Sequence, residues 1–462
     1  MIVIGGGSAG YAAARTASAG GLQVAVIEGG DEIGGLCILR GCMPSKALLY
    51  AAEIRHLTKQ AAVWGLRVPE SSFDWEAVMA RKDRLIAEFA ADRSKQLTEG
   101  RFEFIRAQAA FRDAQTIELS DGHALTAKHF VIATGSRVST PPLASLREAG
   151  FLTSDDVLKL KQPPRSLIVL GGGPVAVEMA QFFQRFDVQV TLIQRSAQLL
   201  READADAAAI IEAVLRREGM EIFTDTQLTG AGRVATGGKF VEFEHAGEVR
   251  RVEADDILLA LGRSPNLEGL NLERAGVRTE DGRIATDAEM RTSVPHIFAA
   301  GDCASPYEVV HLAVQQGKVA GHNLLHPDYP RRMDYRLLTK VVFSDPQLGE
   351  VGLTERAARA QSIPFLAASH PFNDHGKSMI MEALDGFVKL LADPVSGEII
   401  GGACVGPSGG DLIHEIVAAM HARMTVHELA AMPHYHPTLA EIWAYPAETL
   451  AGRISAHAGH AV

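Results

Sequence analysis

Residues 1–28, MIVIGGGSAGYAAARTASAGGLQVAVIE, decide the fold. A short apolar run leads into a glycine turn, an alanine-rich segment of helical character and a second apolar run that ends at Glu28. Gly5, Gly7 and Gly10 form the GxGxxG spacing, which lets backbone amides approach a pyrophosphate at the start of a helix. A carboxylate at the end of the second strand accepts a hydrogen bond from a ribose hydroxyl. The stretch therefore predicts a βαβ unit that binds a dinucleotide.

The same pattern returns at residues 167–194, LIVLGGGPVAVEMAQFFQRFDVQVTLIQ. Gly171 and Gln194 repeat the separation of Gly5 and Glu28, so the second copy keeps the register of the first. An internal repeat of this kind predicts two structural units of one type. The sequence therefore predicts two dinucleotide sites in one chain.

The two copies differ at the residue that closes the second strand. Glu28 in the first copy is replaced by the neutral Gln194, which is followed by Arg195 and then Arg201. A carboxylate would repel a 2′-phosphate, whereas guanidinium groups bind phosphate in bidentate fashion. The second site is therefore predicted to bind NADPH. The alternative is that both arginines are ordinary surface charges.

Residues 34–46, GGLCILRGCMPSK, follow the first unit and place Cys37 and Cys42 five positions apart. On an ideal helix that spacing gives a rotation of about 140° and a rise of about 7.5 Å, beyond the Cα separation of about 4.4–6.8 Å that a disulfide allows. A distorted turn is therefore predicted, and Gly41 provides the backbone freedom for it. The pair is either two buried structural thiols or a redox-active disulfide. The two dinucleotide units favour the second reading, because a flavin and a nicotinamide would exchange hydride beside a disulfide.

Composition restricts the remaining possibilities. The chain has 462 residues, which predicts three or four domains, and its net charge of −11 argues against a nucleic-acid or anionic-membrane surface. It contains no run of 18 or more apolar residues, and the first strand leaves no room for a signal peptide. Four cysteines do not make a secreted disulfide scaffold. A cytoplasmic protein without nucleic-acid or membrane partners is predicted.

Between and after the repeats, residues 73–100 have the periodicity of a packing helix, and residues 130–136 and 257–266 are predicted strands of the two nucleotide domains. A further strand, in residues 296–304, leads to Asp302, which either binds a chain of hydroxyls or caps a helix. Cys303 beside it is predicted to be a small buried residue. From residue 334 the glycine-turn pattern disappears, and a separate α+β domain is predicted.

The C-terminal segment MPHYHPTLAEIWAYPAETL contains His434, His436 and Glu441. A metal site is not predicted, because no cysteine or further acid lies at ligand spacing. A histidine oriented by a nearby carboxylate is the usual general acid and base near pH 7. Trp443 and Tyr445, which follow, either line the site or pack at an interface.

With these segments in place, the chain resembles the flavoprotein disulfide reductases, the family of dihydrolipoamide dehydrogenase, glutathione reductase and mercuric reductase. The likeness runs nearly end to end, with GGLCILRGCMPSKALL similar to the redox-active disulfide motif and HYHPTLAE similar to the C-terminal histidine motif. It implies an α/β fold with two Rossmann-like dinucleotide-binding domains and an α+β C-terminal dimerisation domain. The implied domains are an FAD-binding domain in two parts, 1–143 and 263–333, an NAD(P)H-binding domain at 144–262 and an interface domain at 334–462.

The resemblance also implies a homodimer that binds FAD and shares each active site between subunits. Cys37 would be the interchange thiol that attacks substrate, and Cys42 the thiol beside the flavin. His436, assisted by Glu441, would come from the other subunit and protonate the leaving thiolate. Lys46 and Glu178 match positions that pair near the flavin N5. The implied FAD contacts are Gly5, Gly7, Gly10, Glu28, Lys46, Thr134, Gly135, Asp302 and Ala313, and the implied NADPH contacts are Gly171, Gly173, Gln194, Arg195, Arg201 and Gly262.

The expected function is that of an NAD(P)H:disulfide oxidoreductase important for cell redox homeostasis. Hydride would pass from NADPH through FAD to the Cys37–Cys42 disulfide, and from there to a small-molecule or peptide disulfide. Alternatives within the family are an NAD-linked dihydrolipoamide dehydrogenase, which Gln194 argues against, and a mercuric-reductase-like metal-ion reductase. The tail AGRISAHAGHAV lacks the C-terminal cysteine pair of mercuric reductases. Arg15 and Lys318 lie near places where glutathione reductases bind carboxylates, although both are equally well explained as solvated helix charges.

Overall fold

In the computed structural model, which describes residues 1–139, 141–235 and 237–459, the N-terminal stretch forms the predicted βαβ unit. β1 (Ile2–Ile4), α1 (Ser8–Ala19) and β2 (Ala25–Glu28) follow one another, and the two strands pair in parallel. Gly5 has a φ of 105°, and a Cβ at this position would lie 2.3 Å from the carbonyl oxygen of Ala133. A Cβ on Gly10 would lie 1.8 Å from the carbonyl oxygen of Gly5. The turn therefore accepts only glycine at both positions.

The N-terminal region continues with two helices around the cysteine pair, a long helix and a group of short strands. Its further elements are α2 (Gly35–Leu39), α3 (Cys42–Gln60), α4 (Trp75–Thr98), β3 (Glu103–Arg106), β4 (Ala109–Asp113), β5 (Thr116–Leu119), β6 (Ala124–Thr126), β7 (Phe130–Ile132), β8 (Ser136–Val138), α5 (Ala144–Ala149) and α6 (Ser154–Val157). Strands β4, β5 and β6 form an antiparallel sheet. The helix predicted within residues 73–100 is α4.

The second repeat builds a second parallel sheet. Its elements are β9 (Ser166–Leu170), α7 (Pro174–Arg185), β10 (Gln189–Ile193), α8 (Ala205–Arg217), β11 (Glu221–Phe223), β12 (Thr226–Arg233), β13 (Lys239–His245), β14 (Glu248–Ala254) and β15 (Asp256–Leu259). The parallel strands lie in the order β11-β10-β9-β15, and β12, β13 and β14 form an antiparallel sheet beside them. Gly171 has a φ of 119°, and a Cβ on it would lie 2.3 Å from the carbonyl oxygen of Ala260. The repeat seen in the sequence is therefore a repeat in three dimensions.

The chain then returns to the first sheet. The elements of this region are β16 (Arg263–Pro265), β17 (Thr279–Glu280), β18 (Arg283–Ile284), β19 (Ile297–Ala299) and α9 (Val310–Leu325). β19 pairs with β7 and completes a five-stranded sheet of order β3-β2-β1-β7-β19. α9 packs closely on α1, since a Cβ on Gly317 would lie 2.2 Å from the carbonyl oxygen of Ala9. The nucleotide unit at the N-terminus is thus completed by residues nearly 300 positions later in the chain.

The C-terminal region is an antiparallel sheet with helices. Its elements are β20 (Thr339–Val342), β21 (Gln347–Gly352), α10 (Glu355–Ala360), β22 (Leu366–Pro371), α11 (Gly376–Ile380), β23 (Phe387–Ala392), β24 (Ile399–Gly406), α12 (Gly409–His421), α13 (Val426–Ala431) and α14 (Ala444–Gly459). The strand order is β20-β21-β24-β23-β22. Trp443 is fully buried in the core of this region, and its Nε1 donates to the carbonyl oxygen of Leu412 at 3.2 Å. Both alternatives for Trp443, lining the site and packing at an interface, are therefore wrong, because its ring fills the core of its own chain.

Short 3-10 helices complete the described secondary structure, at Ala61–Trp64, Leu272–Ala275, Tyr335–Leu337, Phe372–Asp374 and Ala440–Trp443. Cys303 is buried, as its sequence context predicts. Among the helices of the described residues, none is both long and apolar enough to cross a membrane. The domain boundaries at residues 143, 262 and 333 remain predictions.

Candidate active site

The cysteine pair lies where one helix ends and the next begins. Cys37 is in α2, which ends at Leu39, and Cys42 is the first residue of α3. Both are free, half-buried thiols in this structure. A Cβ on Gly35 would lie 2.7 Å from the Cα of Gly7, so the cysteine loop packs directly on the first glycine turn. The predicted distortion is therefore a complete break between two helices, beside a candidate dinucleotide site.

The pKa values of the two thiols are shifted in opposite directions. The pKa of Cys42 is lowered to about 7, first because the Cys37 thiol donates a hydrogen bond to it and then because the Lys46 ammonium is nearby. The same hydrogen bond, together with burial, raises the pKa of Cys37. In the reduced pair the negative charge therefore resides on Cys42 and the shared proton on Cys37.

Lys46 connects this loop to the second nucleotide unit. Its Nζ lies 2.8 Å from Oε2 of Glu178, a buried residue of α7. Oε1 of Glu178 accepts from the backbone N–H of Phe343 at 2.9 Å, and the Lys46 ammonium lies 4.5 Å from the centre of the Phe343 ring. The structure thus joins Lys46 and Glu178 and attaches both to the C-terminal region, next to Cys42.

A large cavity covers the first glycine turn and could hold FAD. It has a volume of about 1190 Å³ and is lined in part by Gly5, Gly7, Glu28, Thr134 and Gly135. Open space faces the backbone at Gly135, where a Cβ would have no heavy atom within 4 Å. The Glu28 carboxylate accepts from the backbone N–H groups of residues 6 and 30, at 2.8 and 2.9 Å. The cavity, the glycine turn and the acid at the strand end fit a dinucleotide.

Asp302 is linked to this cavity through Ser136, which lines it. Oδ2 of Asp302 accepts from the Ser136 hydroxyl at 2.7 Å, and Arg263 Nε donates to the same hydroxyl at 2.9 Å. The helix-cap alternative for Asp302 is wrong, because the N-cap of α9 is Val309. Ala313, in the first turn of α9, lies beside this strand end, since a Cβ on Gly301 would be 3.6 Å from its Cβ. Both residues are placed near the cavity without lining it.

The second glycine turn repeats the geometry of the first. The Gln194 side chain covers Gly172, where a Cβ would lie 2.8 Å from Cγ of Gln194, much as Glu28 covers the middle glycine of the first turn. Open space surrounds the backbone at Gly173 and Gly262. Arg195 is exposed, and the Nη2 of Arg201 forms an exposed ion pair with Glu202 at 2.9 Å. The predicted phosphate-binding arginines are thus accessible, one of them already paired with a carboxylate.

His436 and Glu441 form a hydrogen-bonded pair. Nδ1 of His436 lies 2.9 Å from Oε2 of Glu441, whose side chain belongs to the turn at Ala440–Trp443. The His436 side chain is 77% exposed, whereas Glu441 is 8% exposed. No hydrogen bond or ion pair joins His436 to the cysteine pair within the described part of one chain. His434 belongs to a different contact, 2.7 Å from Glu415.

The remaining residues of interest are two predicted basic residues and two residues near the site that the sequence did not predict. Arg15 and Lys318 are both exposed. Sequence reasoning missed His375, whose Nε2 lies 3.3 Å from Oε1 of Glu441, and Arg93, whose charge acts on Cys37. Neither residue has a motif around it that would identify it. Within the three described ranges, no group of three or more His, Cys, Asp or Glu residues is arranged to hold a metal ion.

Comparison with known proteins identifies the family. Residues 1–317 match the pyridine nucleotide-disulphide oxidoreductase family, and residues 338–447 match the dimerisation domain of the same family. A dihydrolipoyl dehydrogenase of Geobacillus stearothermophilus is 34% identical over 428 residues, covering 92% of this chain and 90% of the relative. A mercuric reductase of Streptomyces lividans is 34% identical over 432 residues, with the same coverage of both chains.

Solved structures have the same architecture. LpdA from Mycobacterium tuberculosis has a TM-score of 0.87 at 28% identity and covers 97% of this chain and 99% of its own. The flavoprotein disulfide reductase RclA from Escherichia coli, at 23% identity and a TM-score of 0.85, shares the fold over 97% of this chain and 99% of its own. The predicted fold class is confirmed. The chain therefore belongs to the class I pyridine nucleotide-disulfide oxidoreductases, flavin-dependent enzymes that bind FAD and a pyridine nucleotide and carry a dimerisation domain.

Proposed function

We propose that this protein is an NADPH-dependent disulfide reductase that acts on a small-molecule or peptide disulfide. The observation that carries the proposal is the unequal acidity of Cys37 and Cys42 beside the Lys46–Glu178 ion pair. A structural pair of thiols has no need of a thiolate near neutral pH, whereas thiol–disulfide exchange requires one. The net reaction converts NADPH, a proton and one disulfide into NADP⁺ and two thiols.

FAD, when bound, supplies the two-electron carrier between the nicotinamide and the cysteine pair. The chain's own residues prepare that pair for use. The Lys46 ammonium lies close enough to Cys42 to stabilise its thiolate. Glu178 holds the ammonium in place at 2.8 Å, and its other oxygen is fixed by the backbone at Phe343. The charge on Cys42 is therefore balanced by an anchored cation.

The exchange itself begins at Cys37, the more weakly acidic thiol. Cys37 loses its proton to the imidazole of the partner subunit's His436, and its sulfur attacks the substrate disulfide. One Cys37–substrate disulfide bond forms as the substrate bond breaks, and the leaving thiolate takes the proton back from the imidazolium. The Cys42 thiolate then attacks the Cys37 sulfur and releases the second substrate thiolate, which is protonated from solvent. The intramolecular disulfide is thereby restored.

The preference for NADPH is supported by the charges around Gln194. Arg195 is exposed next to the strand end, and Arg201 would exchange its exposed partner Glu202 for the 2′-phosphate. Ion pairs between exposed groups are weak, so this exchange costs little. Cytoplasmic location and a role in cell redox homeostasis belong to the same proposal.

The function is tested by steady-state rates of the FAD-loaded protein with NADPH and NADH against glutathione disulfide, lipoamide, other small disulfides and Hg²⁺. We expect NADPH and one of the disulfides to give the highest kcat/KM. Cys37→Ser should abolish disulfide reduction while reduction of an artificial acceptor such as ferricyanide persists. Disulfide turnover by this variant would rule out the thiol mechanism.

The nucleotide preference has its own test. Gln194→Glu combined with Arg195→Ala should lower the ratio of kcat/KM for NADPH over NADH by roughly tenfold or more, because a charge-assisted phosphate contact is replaced by repulsion. Arg112→Ala, which removes an exposed arginine of β4, is the control and should leave the ratio unchanged. A clear preference of the unmodified protein for NADH would contradict this part of the proposal.

Two relatives supply the alternative functions. The dihydrolipoyl dehydrogenase and mercuric reductase relatives have the same level of identity to this chain. Oxidation of dihydrolipoamide with NAD⁺ and reduction of Hg²⁺ with NADPH, measured on the same preparation, decide between them and the proposed reaction. Higher kcat/KM in either assay would replace the proposal with that activity.

A further inference from the structure

Glu441 is contacted by two histidines, of which only His436 carries a role in the proposed function. The second, His375, follows the turn at Phe372–Asp374 and precedes α11. It is 1% exposed, and its Nε2 lies 3.3 Å from Oε1 of Glu441, within ion-pair distance but without the alignment of a hydrogen bond. Nδ1 of His436 lies 2.9 Å from Oε2 and 3.2 Å from Oε1 of the same carboxylate. The carboxylate therefore stands between a buried imidazole and an exposed one.

His375 is fixed from its other side. Its Nδ1 lies 2.7 Å from the hydroxyl of Ser378, which is also fully buried. Burial lowers the pKa of His375, although the Glu441 carboxylate opposes this. A neutral imidazole carries one proton. The Glu441 carboxylate faces Nε2 and can only accept, which favours the proton on Nε2, and the Ser378 hydroxyl then donates to Nδ1.

Of the other groups around the ring, only the backbone of Thr438 competes for this proton. Tyr445 meets the His375 ring edge to face at 6.4 Å and is itself stacked on His370 at 4.1 Å. The Nε2 of His370 contacts the carbonyl oxygen of Asp374 at 3.0 Å and not the carboxylate. The backbone of Thr438, like the Glu441 carboxylate, favours the protonated ring and opposes the lowering of the pKa of His375. The titratable groups facing His375 are thus Glu441, Tyr445 and His370, and only the Glu441 carboxylate faces Nε2 as an acceptor.

We infer that His375, held by Ser378, is a positioning residue that fixes the Glu441 carboxylate and thereby the tautomer of His436. With Oε1 held beside His375, the carboxylate faces His436 with Oε2 nearest and accepts from its Nδ1–H. The Nε2 of His436 is then left free on an exposed ring, which is the nitrogen that must exchange protons with thiols of the partner's site. The inference rests on the proposed function, because it assigns His436 to proton transfer.

The inference is tested with His375→Leu, His375→Gln and Ser378→Ala in the FAD-loaded dimer, compared at equal bound FAD. His375→Leu removes the donor and should lower kcat for the disulfide by about 10- to 30-fold with KM unchanged. His375→Gln retains an N–H donor and should stay within about threefold of the unmodified protein. Ser378→Ala keeps the ring and removes its anchor, and a loss of about three- to tenfold is expected. His370→Gln is the matched control from the same pocket and should change kcat by less than about twofold.

A double-mutant cycle with Glu441→Gln separates positioning from general structural damage. If His375 acts through Glu441, His375→Leu should cost less than about threefold when Glu441→Gln is already present. Additive losses, or a His375→Gln variant as slow as His375→Leu, would overturn the inference. If His375→Leu does not fold, Ser378→Ala alone decides, and an unchanged kcat in that variant counts against the inference. If Glu441→Gln by itself leaves disulfide turnover unchanged, it is the proposed role of His436 that fails.

Discussion

Cys42 owes its acidity to one neighbouring side chain more than to any other. The hydrogen bond from Cys37 is the largest contribution to its pKa of about 7, ahead of the Lys46 charge, while burial acts in the opposite direction. A thiol with this pKa is about half ionised at neutral pH. The reduced pair therefore needs no external base to form the thiolate at Cys42, but it does need one to free Cys37.

Replacing Cys37 tests this dependence directly. Cys37→Ala removes the donor, so the pKa of Cys42 should rise by roughly one unit or more, whereas Cys37→Ser retains a hydroxyl donor and should keep the pKa closer to 7. The measurement is the rate of alkylation of Cys42 by iodoacetamide as a function of pH, followed by mass spectrometry of the peptide. Cys303 and Cys404 are buried and serve as unreactive internal controls. Identical pH profiles for the two variants would contradict the hydrogen-bond explanation.

The spacing of the cysteines could not have predicted which of the two thiols has the lower pKa. The sequence places the thiols five positions apart and requires a broken helix between them, which the structure has at residues 40 and 41. Which thiol holds the proton depends on Lys46 and Glu178, which meet only when two nucleotide units pack together. The roles of Cys37 and Cys42 came from a family resemblance and not from the spacing.

At the scale of elements, α4 brings a positive charge close to Cys37, the thiol proposed to attack the substrate. The guanidinium of Arg93 lies 4.4 Å from the centre of the Tyr11 ring, and its Nη1 is buried with no hydrogen-bond partner among the described residues. The hydrogen bond to Cys42 dominates the pKa of Cys37 and raises it, but the Arg93 charge acts in the opposite direction. A cation at this place should favour anionic disulfides over cationic ones.

Arg93→Gln should therefore change the charge preference of Cys37. For the reduced protein we expect the rate with the dianionic disulfide dithiobis(nitrobenzoate), divided by the rate with the dication cystamine, to fall by about three- to tenfold. Stopped-flow measurements at low ionic strength provide both rates. Arg84→Gln, an exposed position of the same helix, is the control. An equal effect of both substitutions would show that only the overall charge of the protein matters.

In the C-terminal sheet, β21 contains a buried acid whose titration should be visible in stability. Glu350 is buried, its Oε1 lacks a hydrogen-bond partner among the described residues, and Lys340 pairs opposite it on β20. Burial raises the pKa of Glu350 from its ordinary value of 4.5 to about 7. Because the folded state holds this proton more tightly, the contribution to stability is full below about pH 4.5 and declines up to about pH 7.

Glu350→Gln removes this titration. Relative to the unmodified protein, the variant should gain stability as the pH rises from about 5 to about 8, by an amount of about 1–3 kcal/mol. Chemical denaturation of the FAD-loaded protein at one fixed concentration and several pH values gives the comparison. Glu244→Gln, an exposed carboxylate of β13 outside the sheet, controls for the loss of one negative charge. Parallel stability curves for Glu350→Gln and the unmodified protein would contradict the assignment.

The elements themselves were readable from the sequence to very different degrees. Gly5 and Gly171 are required by carbonyl oxygens 2.3 Å from where a Cβ would lie, and such local constraints appear in the sequence as motifs. His436 and Glu441 are close along the chain and form a pair that their spacing already suggests. His375 and Arg93 reach the site from a distant turn and a distant helix, so only the closed fold reveals them. Contacts made by tertiary packing leave no periodic or short-range signal.

For the whole molecule, the exposure of His436 is the decisive feature. A histidine with the proposed role of general acid and base that is 77% exposed within its own chain gains a defined environment only when another surface covers it. The family's dimerisation domain, matched at residues 338–447, includes both His436 and Glu441. Each active site is therefore expected to combine the cysteine pair of one subunit with the His436–Glu441 pair of the other.

Hybrid dimers test whether the active sites are shared, and any disulfide that the protein reduces can be used for the measurement. A Cys37→Ser chain and a His436→Ala chain, carrying different affinity tags and purified as the mixed dimer, should together form one intact site of two and recover about half of the unmodified activity. Both parent homodimers should be nearly inactive toward disulfides.

The reciprocal hybrid pairs an unmodified chain with one carrying both substitutions. If sites are shared, each of its two sites is damaged and activity should be lost, whereas sites contained within single chains would leave about half. With shared sites, the first hybrid should be half active and the reciprocal hybrid inactive. With sites contained in single chains, the first hybrid should be inactive and the reciprocal hybrid half active. A half-active reciprocal hybrid would therefore exclude shared sites.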